Sequence, residues 1–379
     1  MEMMSDVGSP MRLYETRSRR IVDFVPPEGP VRMYTCGITP YDATHVGHAA
    51  TFLTFDVLQR RLRDRGHETR CVRNITDVDD SILARAAQLG VHYLDLAAGA
   101  LATLEADMAA LGLLRPWSEP RATSAISDVR SFIGSVLSSG HAYEAEGSVF
   151  FDASSSPSFG QLAGLDWLEM AERGAAAGEV VGAGRKHPLD FVLWHRSGAG
   201  EPSWDSRWGA GRPGWHVECS ALALRELGPV IDLHGGGSDL IYPHHECENA
   251  QSEAVTGGGF VRHWMHVAMV HRDGEKMAKS ADNLVFIRHL RSQHDPMAIR
   301  LALSSEHYRS EWEWNSELVV AAERRLATWR AAGSGVAALE DVRDALDDDL
   351  DTPGAVAAID AAARHGRGVS ESMRLLGLS

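Results

Sequence analysis

The amino-acid sequence predicts an α/β protein with a parallel nucleotide-binding sheet in two halves, a helical insertion between them and a helical C-terminal region. Residues 31–35 form a short apolar strand pattern, and after a loop the apolar positions of 51–63 follow helical spacing. Residues 230–233 form a second apolar strand pattern, which leads into a glycine-rich segment. The segment 81–174 between them is alanine-rich and largely helical in pattern. These observations favour one sheet whose halves lie far apart in the sequence.

The 379 residues suffice for more than one hydrophobic core, and the pattern divides them into four parts. We expect residues 1–80 to form the first half of a nucleotide-binding domain and 81–200 to form the insertion. Residues 201–285 are expected to complete the domain and to end in a basic turn. Residues 286–379 are expected to form the C-terminal helical region.

Composition limits the class of protein. The chain is 44% hydrophobic and 23% charged, as soluble globular proteins are. It has no run of 18 apolar residues and no basic-then-apolar N-terminus, so we expect neither a membrane span nor a signal peptide. Four cysteines are too few for a disulfide framework in a chain of this length and indicate a cytoplasmic location. The net charge of −15 weighs weakly against a protein dominated by nucleic-acid contacts.

The stretch 33–50 is predicted to open a nucleotide site. The strand is expected to break at Cys36 and Gly37, the chain to turn at 39–40, and a helix to begin near His45. His45 and His48 are three residues apart and therefore share a face of the first turn. A helix that begins there directs free N–H groups and the positive end of its dipole towards a phosphate. Taken alone, the histidines are equally compatible with ordinary polar residues at a helix start.

Two other segments are expected at the same edge of the sheet. A weaker strand pattern at 68–72 ends in the polar, acidic loop 74–80, which suits a ligand site at the carboxyl edge of a parallel sheet. The alternative is a capped turn before the helix expected at Ser81. After the strand at 230–233 we expect a glycine loop whose backbone lies against a nucleotide. Its members are Gly235, Gly236, Gly237, Ser238 and Asp239.

The sequence also contains a candidate metal site. Cys36, Cys219 and His244 come from three separate loops, and Glu248 lies one helical turn after His244. Thiolate, imidazole and carboxylate are the ligands that Zn²⁺ accepts in a tetrahedron. The alternative is that both cysteines are buried free thiols, as we expect for Cys71. Cys247 is a competing ligand candidate, and Glu248 is left open as a fourth ligand.

Seven motifs in order along most of the chain resemble the class I cysteinyl-tRNA synthetase family. They are Cys-Gly-x-Thr at 36–39, His-x-Gly-His at 45–48, Asn-Ile-Thr-Asp-Val-Asp-Asp at 74–80, Gly-Arg-Pro-Gly-Trp-His-x-Glu-Cys at 211–219, Gly-Gly-Gly-Ser-Asp-Leu at 235–240, Pro-His-His-Glu at 243–246 and a variant of Lys-Met-Ser-Lys-Ser at 276–280. The resemblance implies a class I synthetase-type Rossmann (HUP-like) sheet.

Two features favour the branch of this family that joins cysteine to the amino group of glucosaminyl-inositol in mycothiol biosynthesis. The triplet 38–40 is similar to the pattern of these ligases, and few residues remain after 348–353 for an anticodon-binding module. The sequence departs from the family pattern at two places. Ala278 replaces the usual serine of the lysine motif, and the sequence after Glu248 looks more like that of the synthetases.

The resemblance also implies roles for single residues. Zn²⁺, one per chain, would be held by Cys36, Cys219 and His244. Thr39, Thr76 and Trp215 would surround the substrate cysteine, and the glycine segment with Asp239 would hold the adenosine of ATP. His45, His48, Lys276 and Lys279 would be catalytic, acting on the phosphates of ATP, with Mg²⁺ also expected. The attacking amine needs a base that the sequence does not identify.

The expected partners are small molecules, namely L-cysteine, ATP and glucosaminyl-inositol, with tRNA and membranes not expected and a monomer assumed. Other functions remain open on the sequence alone. They are a truncated cysteinyl-tRNA synthetase, a paralogue that adenylates cysteine for another acceptor and a non-catalytic nucleotide-binding module.

Overall fold

The computed structural model describes residues 10–41, 43–176, 184–278 and 281–378. Its strands are β1 (Arg12–Glu15), β2 (Arg20–Asp23), β3 (Val31–Ile38), β4 (Thr69–Ile75), β5 (Ala142–Ala145), β6 (Ser148–Phe151), β7 (Phe191–Arg196), β8 (Gly211–Pro213), β9 (Leu233–Gly237), β10 (Trp264–Val267), β11 (Val270–Arg272), β12 (Glu275–Lys276) and β13 (Trp312–Glu313). Its helices are α1 (Val46–Asp64), α2 (Asp80–Leu89), α3 (Tyr93–Ala110), α4 (Ile126–Ser138), α5 (Trp167–Ala176), α6 (Trp215–Leu227), α7 (Glu246–Thr256), α8 (Ile287–Leu290), α9 (Pro296–Ser304), α10 (Glu317–Ala332), α11 (Leu339–Asp347), α12 (Thr352–Arg364) and α13 (Ser370–Leu375).

A four-stranded parallel sheet in the order β10-β9-β3-β4 is the centre of the molecule. Its residues alternate between two cores, because successive side chains of a strand point to opposite faces. Met33 of β3 joins the core that contains α1 and the C-terminal helices. Tyr34 joins the core that contains Leu222 of α6. The predicted α/β class, with a sheet assembled from two distant halves of the sequence, is confirmed.

The strand predicted to break at Cys36 and Gly37 instead continues to Ile38, with an irregular register between Thr35 and Ile38. Glycine is required there because a Cβ on Gly37 would lie 1.6 Å from the carbonyl oxygen of Asn74 on β4. The close approach of the two backbones keeps β3 paired where its sequence suggests a loop. As a result, Cys36 projects from a strand end fixed by β4.

The predicted glycine loop is also wrong in its first half, since Gly235, Gly236 and Gly237 lie within β9. A Cβ on Gly235 would lie 2.0 Å from the carbonyl oxygen of Met265 and 2.6 Å from the ring of Phe55. Gly235 is therefore needed for the packing of β9 between β10 and α1. The chain leaves the strand only at Ser238, which begins a short 3₁₀ turn.

The insertion and the residues that follow it form a second sheet that the sequence pattern did not predict. After α4 the chain forms an antiparallel sheet in the order β5-β6-β7-β8, whose last strand leads directly into α6. Glycine allows β8 to approach β7 closely, because Cβ atoms on Gly211 and Gly214 would lie 2.2 and 2.0 Å from carbonyl oxygens of β7. This sheet therefore fixes the start of α6. Residues 177–183, in the segment expected to be a loop, lie outside the described residues.

The region after Asp295 is mainly helical, as expected, and packs against α1. The buried Arg300 of α9 donates to the carbonyl oxygens of Leu111 and Leu376 and to the carboxylate of Asp56 on α1. One buried cation thus joins α1, the end of α3 and the C-terminus. Among the described residues, no helix has the length and apolar character needed to cross a bilayer.

Candidate active site

The helix predicted to begin near His45 starts at Val46, with His45 as its N-cap. The Nδ1 atom of His45 accepts a hydrogen bond from the backbone N–H of Gly47 at 3.1 Å. The rings of His45 and His48 stack with centroids 3.8 Å apart, which confirms that both lie on one face of the first turn. The first turn has no acidic side chain, so the positive end of the helix dipole is available to an anion.

A cavity of about 500 Å³ runs from this helix start across the carboxyl edge of the sheet. Cys36 and Thr39 line it where β3 ends, and Asp239 and Lys276 line it beyond β9. The cavity is where a doubly wound sheet binds ligands, and its size suits a nucleotide-sized molecule. Among its other described lining residues are Tyr41, His45, His48, Asp79, Asp80, His195, Trp215, Gly237 and Met277.

Four buried ligand-type residues meet beside this cavity: the three predicted ligands Cys36, Cys219 and His244, and Glu248, which the sequence left open. The sulfur atoms of Cys36 and Cys219 are 3.9 Å apart, and His244 Nε2 lies 3.3 Å from Cys219 Sγ. Glu248 Oε1 lies 3.3 Å from Cys36 Sγ and 2.9 Å from His244 Nε2. Their donor atoms all lie within 4.8 Å of one another. Cys36 comes from β3, Cys219 from α6, His244 from the turn before α7 and Glu248 from α7.

A second group of four shares two of these residues, Cys36 and Glu248, and replaces the others with His234 and His245. His234 Nε2 lies 3.0 Å from Glu248 Oε2, and His245 Nε2 lies 3.2 Å from Cys36 Sγ. A hydrogen bond from His234 would orient the carboxylate of Glu248, and one from His245 would stabilise the thiolate of Cys36. Residues that contact metal ligands from outside the coordination sphere commonly act in this way. The set with two thiol groups is chemically better suited to a soft metal.

Other side chains hold the set in place. The amide of Asn74 donates from Nδ2 to Cys219 Sγ at 3.1 Å, while its Oδ1 accepts from the backbone of Gly37 at 2.9 Å. The Nδ1 atoms of His216 and His244 are 2.9 Å apart, so the ring of His244 is oriented from its far side. Asn74 thereby joins the ends of β3 and β4 to α6.

The charges in the set favour ionisation of one thiol. Burial raises the pKa of Cys36 well above its ordinary value, and the neighbouring Cys219 adds to the increase. Burial acts in the same direction on Cys219, but hydrogen bonding to Cys36 and the charge of His244 lower the pKa of Cys219 to about 7. Burial would lower the pKa of His244, but Cys219 and Glu248 raise it to about 10. Cys219 is thus the thiol most easily deprotonated near neutral pH.

Of the three residues predicted for the cysteine pocket, Thr39 and Trp215 line the cavity, whereas Thr76 contacts Thr39 but is not among the described lining residues. Thr39 and Thr76 share a hydrogen bond of 2.8 Å between their hydroxyl groups, and Thr39 donates to Asp79 Oδ2 at 2.7 Å. Trp215, the first residue of α6, lies with its ring centroid 4.2 Å from that of His244. Trp215 therefore covers one side of the metal-ligand set and faces the cavity.

Only some of the residues predicted to bind the nucleotide line the cavity. Gly237 and Asp239 line the cavity, whereas Gly235, Gly236 and Ser238 are not among its described lining residues. Lys276 lies on β12 and pairs with Asp239, its Nζ atom 2.9 Å from Oδ2. Lys279, the second lysine of the basic turn, lies outside the described residues.

The other two cysteines are buried away from the set. Cys71 lies in the core beneath α1, and burial raises its pKa to about 11. Cys247 packs in the core of the insertion with Val217 and Ala221 of α6. Sequence reasoning did not assign His234 or His195, because their signal is only a polar residue within or beside an apolar strand. His245 lies within the Pro-His-His-Glu motif but was given no role there.

Comparison with known proteins agrees with this arrangement. A family model described as the tRNA synthetases class I (C) catalytic domain matches residues 24–324. A solved structure of Mycobacterium tuberculosis methionyl-tRNA synthetase in complex with methionyl-adenylate superposes with a TM-score of 0.64 at 16% identity, covering 92% of this chain and 87% of that chain. At this identity the likeness shows the fold alone.

Curated relatives are much more similar in sequence. The L-cysteine:1D-myo-inositol 2-amino-2-deoxy-alpha-D-glucopyranoside ligase of Thermobispora bispora is 48% identical over 365 residues, covering 93% of this chain and 90% of the relative. The ligase of the same name from Kribbella flavida is 44% identical over 379 residues, covering 97% and 93%. The chain therefore belongs to the family of class I (C) tRNA synthetase catalytic domains and, within it, to the L-cysteine:1D-myo-inositol 2-amino-2-deoxy-alpha-D-glucopyranoside ligases.

Proposed function

We propose that the protein is an ATP-dependent ligase that joins L-cysteine to the amine of glucosaminyl-inositol through a cysteinyl-adenylate, releasing AMP and pyrophosphate. The observation that supports this best is the single cavity that reaches from the start of α1 to Cys36 of the thiol-imidazole set. One end suits phosphates and the other suits a sulfur-containing amino acid. The names of the relatives supply the acceptor.

The metal-ligand set fits zinc. Cys36, Cys219 and His244 offer two sulfurs and one nitrogen, and Glu248 offers an oxygen within the same 4.8 Å group. Bound zinc would supply a Lewis-acidic position that takes the substrate's sulfur as a thiolate. Asn74 donates a hydrogen bond to Cys219 Sγ and would keep this ligand sulfur oriented towards the metal.

The side chains around this set would explain the choice of cysteine. Thr39, Thr76 and Trp215 would hold the amino and carboxyl ends of the amino acid. A pocket that separates cysteine from serine or alanine by shape alone would gain only about 1–3 kcal/mol. Selection through the sulfur atom is stronger, because a hydroxyl or methyl group cannot replace a soft thiolate ligand.

Activation of the carboxylate would take place at the other end of the cavity. His45, His48 and the positive end of the α1 dipole would bind the phosphates of ATP, with Mg²⁺, while Asp239 and the backbone of Gly237 would hold the adenosine. The substrate's carboxylate attacks the α-phosphate and pyrophosphate leaves. Lys276 and Lys279 would stabilise the charge that develops on the departing phosphates. Lys276 would exchange its partner Asp239 for phosphate oxygens as ATP binds.

We further propose that the enzyme acts on small molecules in the cytoplasm as a monomer and does not use tRNA. The acceptor is an amino sugar, which is cationic near neutral pH and suits an acidic protein. The chain carries a net charge of −15, whereas a tRNA-binding surface is normally basic.

A comparison of acceptors tests the proposal. Purified enzyme with ATP and cysteine should show pyrophosphate exchange, and serine should not replace cysteine. With glucosaminyl-inositol it should form the amide and release AMP, whereas with tRNA no cysteinyl ester should accumulate. If cysteine is esterified to tRNA and the amino sugar does not react, the protein is a truncated synthetase. Exchange without transfer to either acceptor would identify a paralogue with another amine substrate.

A further inference from the structure

A group of charged side chains lines the cavity close to the cysteine pocket and has no role in the steps above. Asp80 and His195 both line the cavity, and His195 Nε2 lies 4.0 Å from Asp80 Oδ2. The other carboxylate oxygen of Asp80 pairs with Arg212. The Asp80 side chain is 41% exposed, whereas those of His195 and Arg212 are 11% and 5% exposed. One carboxylate edge therefore remains open to a ligand beside a largely buried imidazole.

The fold places this group next to the reacting end of the proposed adenylate. Asp80 is the first residue of α2 and follows Asp79, which accepts the hydrogen bond of Thr39. His195 lies on β7 directly opposite Arg212 on β8, and Trp215 follows three residues later. The sheet of the insertion thus carries His195 to the cysteine pocket.

The charge of the surroundings suits a cation. The positive charge of Arg212 faces two carboxylates. One belongs to Asp80 and the other to Glu201, whose Oε2 lies 3.7 Å from Arg212 Nε. Asp80 and Glu201 therefore outweigh Arg212, and the group is anionic overall. A protonated amine is attracted to it, whereas a phosphate is not.

We propose that Asp80 and His195 form the acceptor subsite, in which Asp80 binds the ammonium group of the amino sugar and His195 takes a proton from its nitrogen during attack. A nitrogen atom can lie within hydrogen-bond distance of two atoms that are 4.0 Å apart. The amine would therefore contact both side chains at once. This inference rests on the proposed ligase function, since it assigns the base that this function requires.

Amide formation removes two protons from the ammonium nitrogen of the amino sugar, and the second proton needs a base. The ammonium group loses one proton to solvent past the exposed edge of Asp80, and the neutral nitrogen attacks the acyl carbon. As the C–N bond forms, the nitrogen releases its second proton to Nε2 of His195. The bond between the acyl carbon and the phosphate oxygen then breaks, and AMP leaves with the bonding electron pair. General base catalysis of this kind contributes about 10²–10⁴-fold to a rate.

The test separates activation from transfer. His195→Asn and Asp80→Asn are compared with His365→Asn, which changes an exposed histidine at the end of α12. Three rates are measured for each protein: cysteine-dependent pyrophosphate exchange, hydroxamate formation with hydroxylamine, and amide formation with glucosaminyl-inositol. Hydroxylamine is largely unprotonated near neutral pH and therefore does not need the carboxylate. The cationic nitrogen formed as it attacks is acidic enough to lose its proton to water, so hydroxamate formation depends little on His195.

We expect exchange and hydroxamate formation to stay within about twofold of the wild type in both variants. His195→Asn should lower the maximal rate of amide formation by about 10²-fold or more. Asp80→Asn should instead raise the KM for the amino sugar by about tenfold or more, because it removes a charge-assisted hydrogen bond. His365→Asn should change none of the three rates.

Amide formation at the wild-type rate and KM in both variants would overturn the subsite, and so would a parallel fall of exchange and transfer. A wild-type enzyme that forms hydroxamate but no amide with this amino sugar would instead contradict the proposed function. In that event glucosamine serves as the acceptor amine for the same comparison of variants, so the two claims fail separately.

Discussion

Replacement of Cys219 by alanine should remove the bound metal and nearly abolish activation of cysteine. The variant loses a sulfur that lies 3.3 Å from His244 Nε2 and 3.9 Å from Cys36 Sγ, which leaves at most three protein ligands. We expect about one zinc per chain in the wild type and far less in Cys219→Ala. Cysteine-dependent pyrophosphate exchange should fall by about 10³-fold or more, equivalent to about 4 kcal/mol. Metal analysis and exchange assays on the same preparations measure both effects.

Cys71→Ala is the matched control, because Cys71 is also a buried cysteine on a strand of the parallel sheet but lies outside the metal-ligand set. It should keep its zinc and its exchange activity.

Glu248→Gln tests the open question of the fourth ligand. A lower metal affinity would show that the carboxylate is a ligand, and unchanged affinity would leave three protein ligands. Metal-free wild-type protein with full exchange activity would contradict the zinc site.

Replacement of Arg300 by methionine should cause a large loss of stability. Its guanidinium is fully buried and pairs with Asp56, which is itself 2% exposed. The variant leaves the carboxylate of Asp56 with Arg60 as its remaining charged partner and leaves the carbonyl oxygens of Leu111 and Leu376 without this donor. Breaking a buried ion pair from one side typically costs 3–5 kcal/mol, and we expect about 3 kcal/mol here because Arg60 remains. Urea denaturation measures the change in the free energy of unfolding.

Arg324→Met, on the exposed face of α10, is the control and should change stability by less than about 0.5 kcal/mol. The pH dependence gives a second check. Burial alone would raise the pKa of Asp56, but Arg300 and Arg60 lower it below its ordinary value. The stabilisation is therefore present above the ordinary carboxyl pKa and is lost as the pH falls through the lowered value. An Arg300→Met protein as stable as the wild type would show that the pair contributes nothing.

The sequence predicts the sheet because its strands have local apolar patterns, and it indicates the ligand-type residues because each lies in a recognisable fragment. Cys36 lies near the end of an apolar strand, Cys219 follows Trp215 by one helical turn, and His244 precedes Glu248 by another. Each fragment therefore carries its own signal. The identity of the other ligand-type neighbours, His234 and His245, depends on how β9 and α7 pack together, and no local pattern contains that information.

The errors have a common physical cause. Residues 36–37 and 235–237 are rich in glycine, which usually marks loops, yet here glycine allows neighbouring backbones to approach closely inside the sheet. His195 was missed for a related reason, since it lies at the end of an apolar strand in a sheet that the helical pattern of the insertion concealed. Close tertiary contacts decide these positions, and local propensity does not record them.

The acidic run 347–349 near the C-terminus makes contacts within the protein. Asp347 pairs with Arg61 and Arg65 of the α1 region and is only 9% exposed. Asp349 is 3% exposed and accepts from Tyr308. The run therefore joins the C-terminal helices to the rest of the chain.

The most direct test of the central claim asks whether the substrate's sulfur enters the metal site. Zinc is replaced by cobalt(II), whose absorption from sulfur-to-metal charge transfer increases with the number of thiolate ligands. Addition of cysteine should increase this absorption in the wild type, whereas serine at the same concentration should leave it unchanged. If cysteine saturates the enzyme and supports pyrophosphate exchange while the spectrum stays constant, then the set formed by Cys36, Cys219 and His244 does not select the substrate, and the account is wrong.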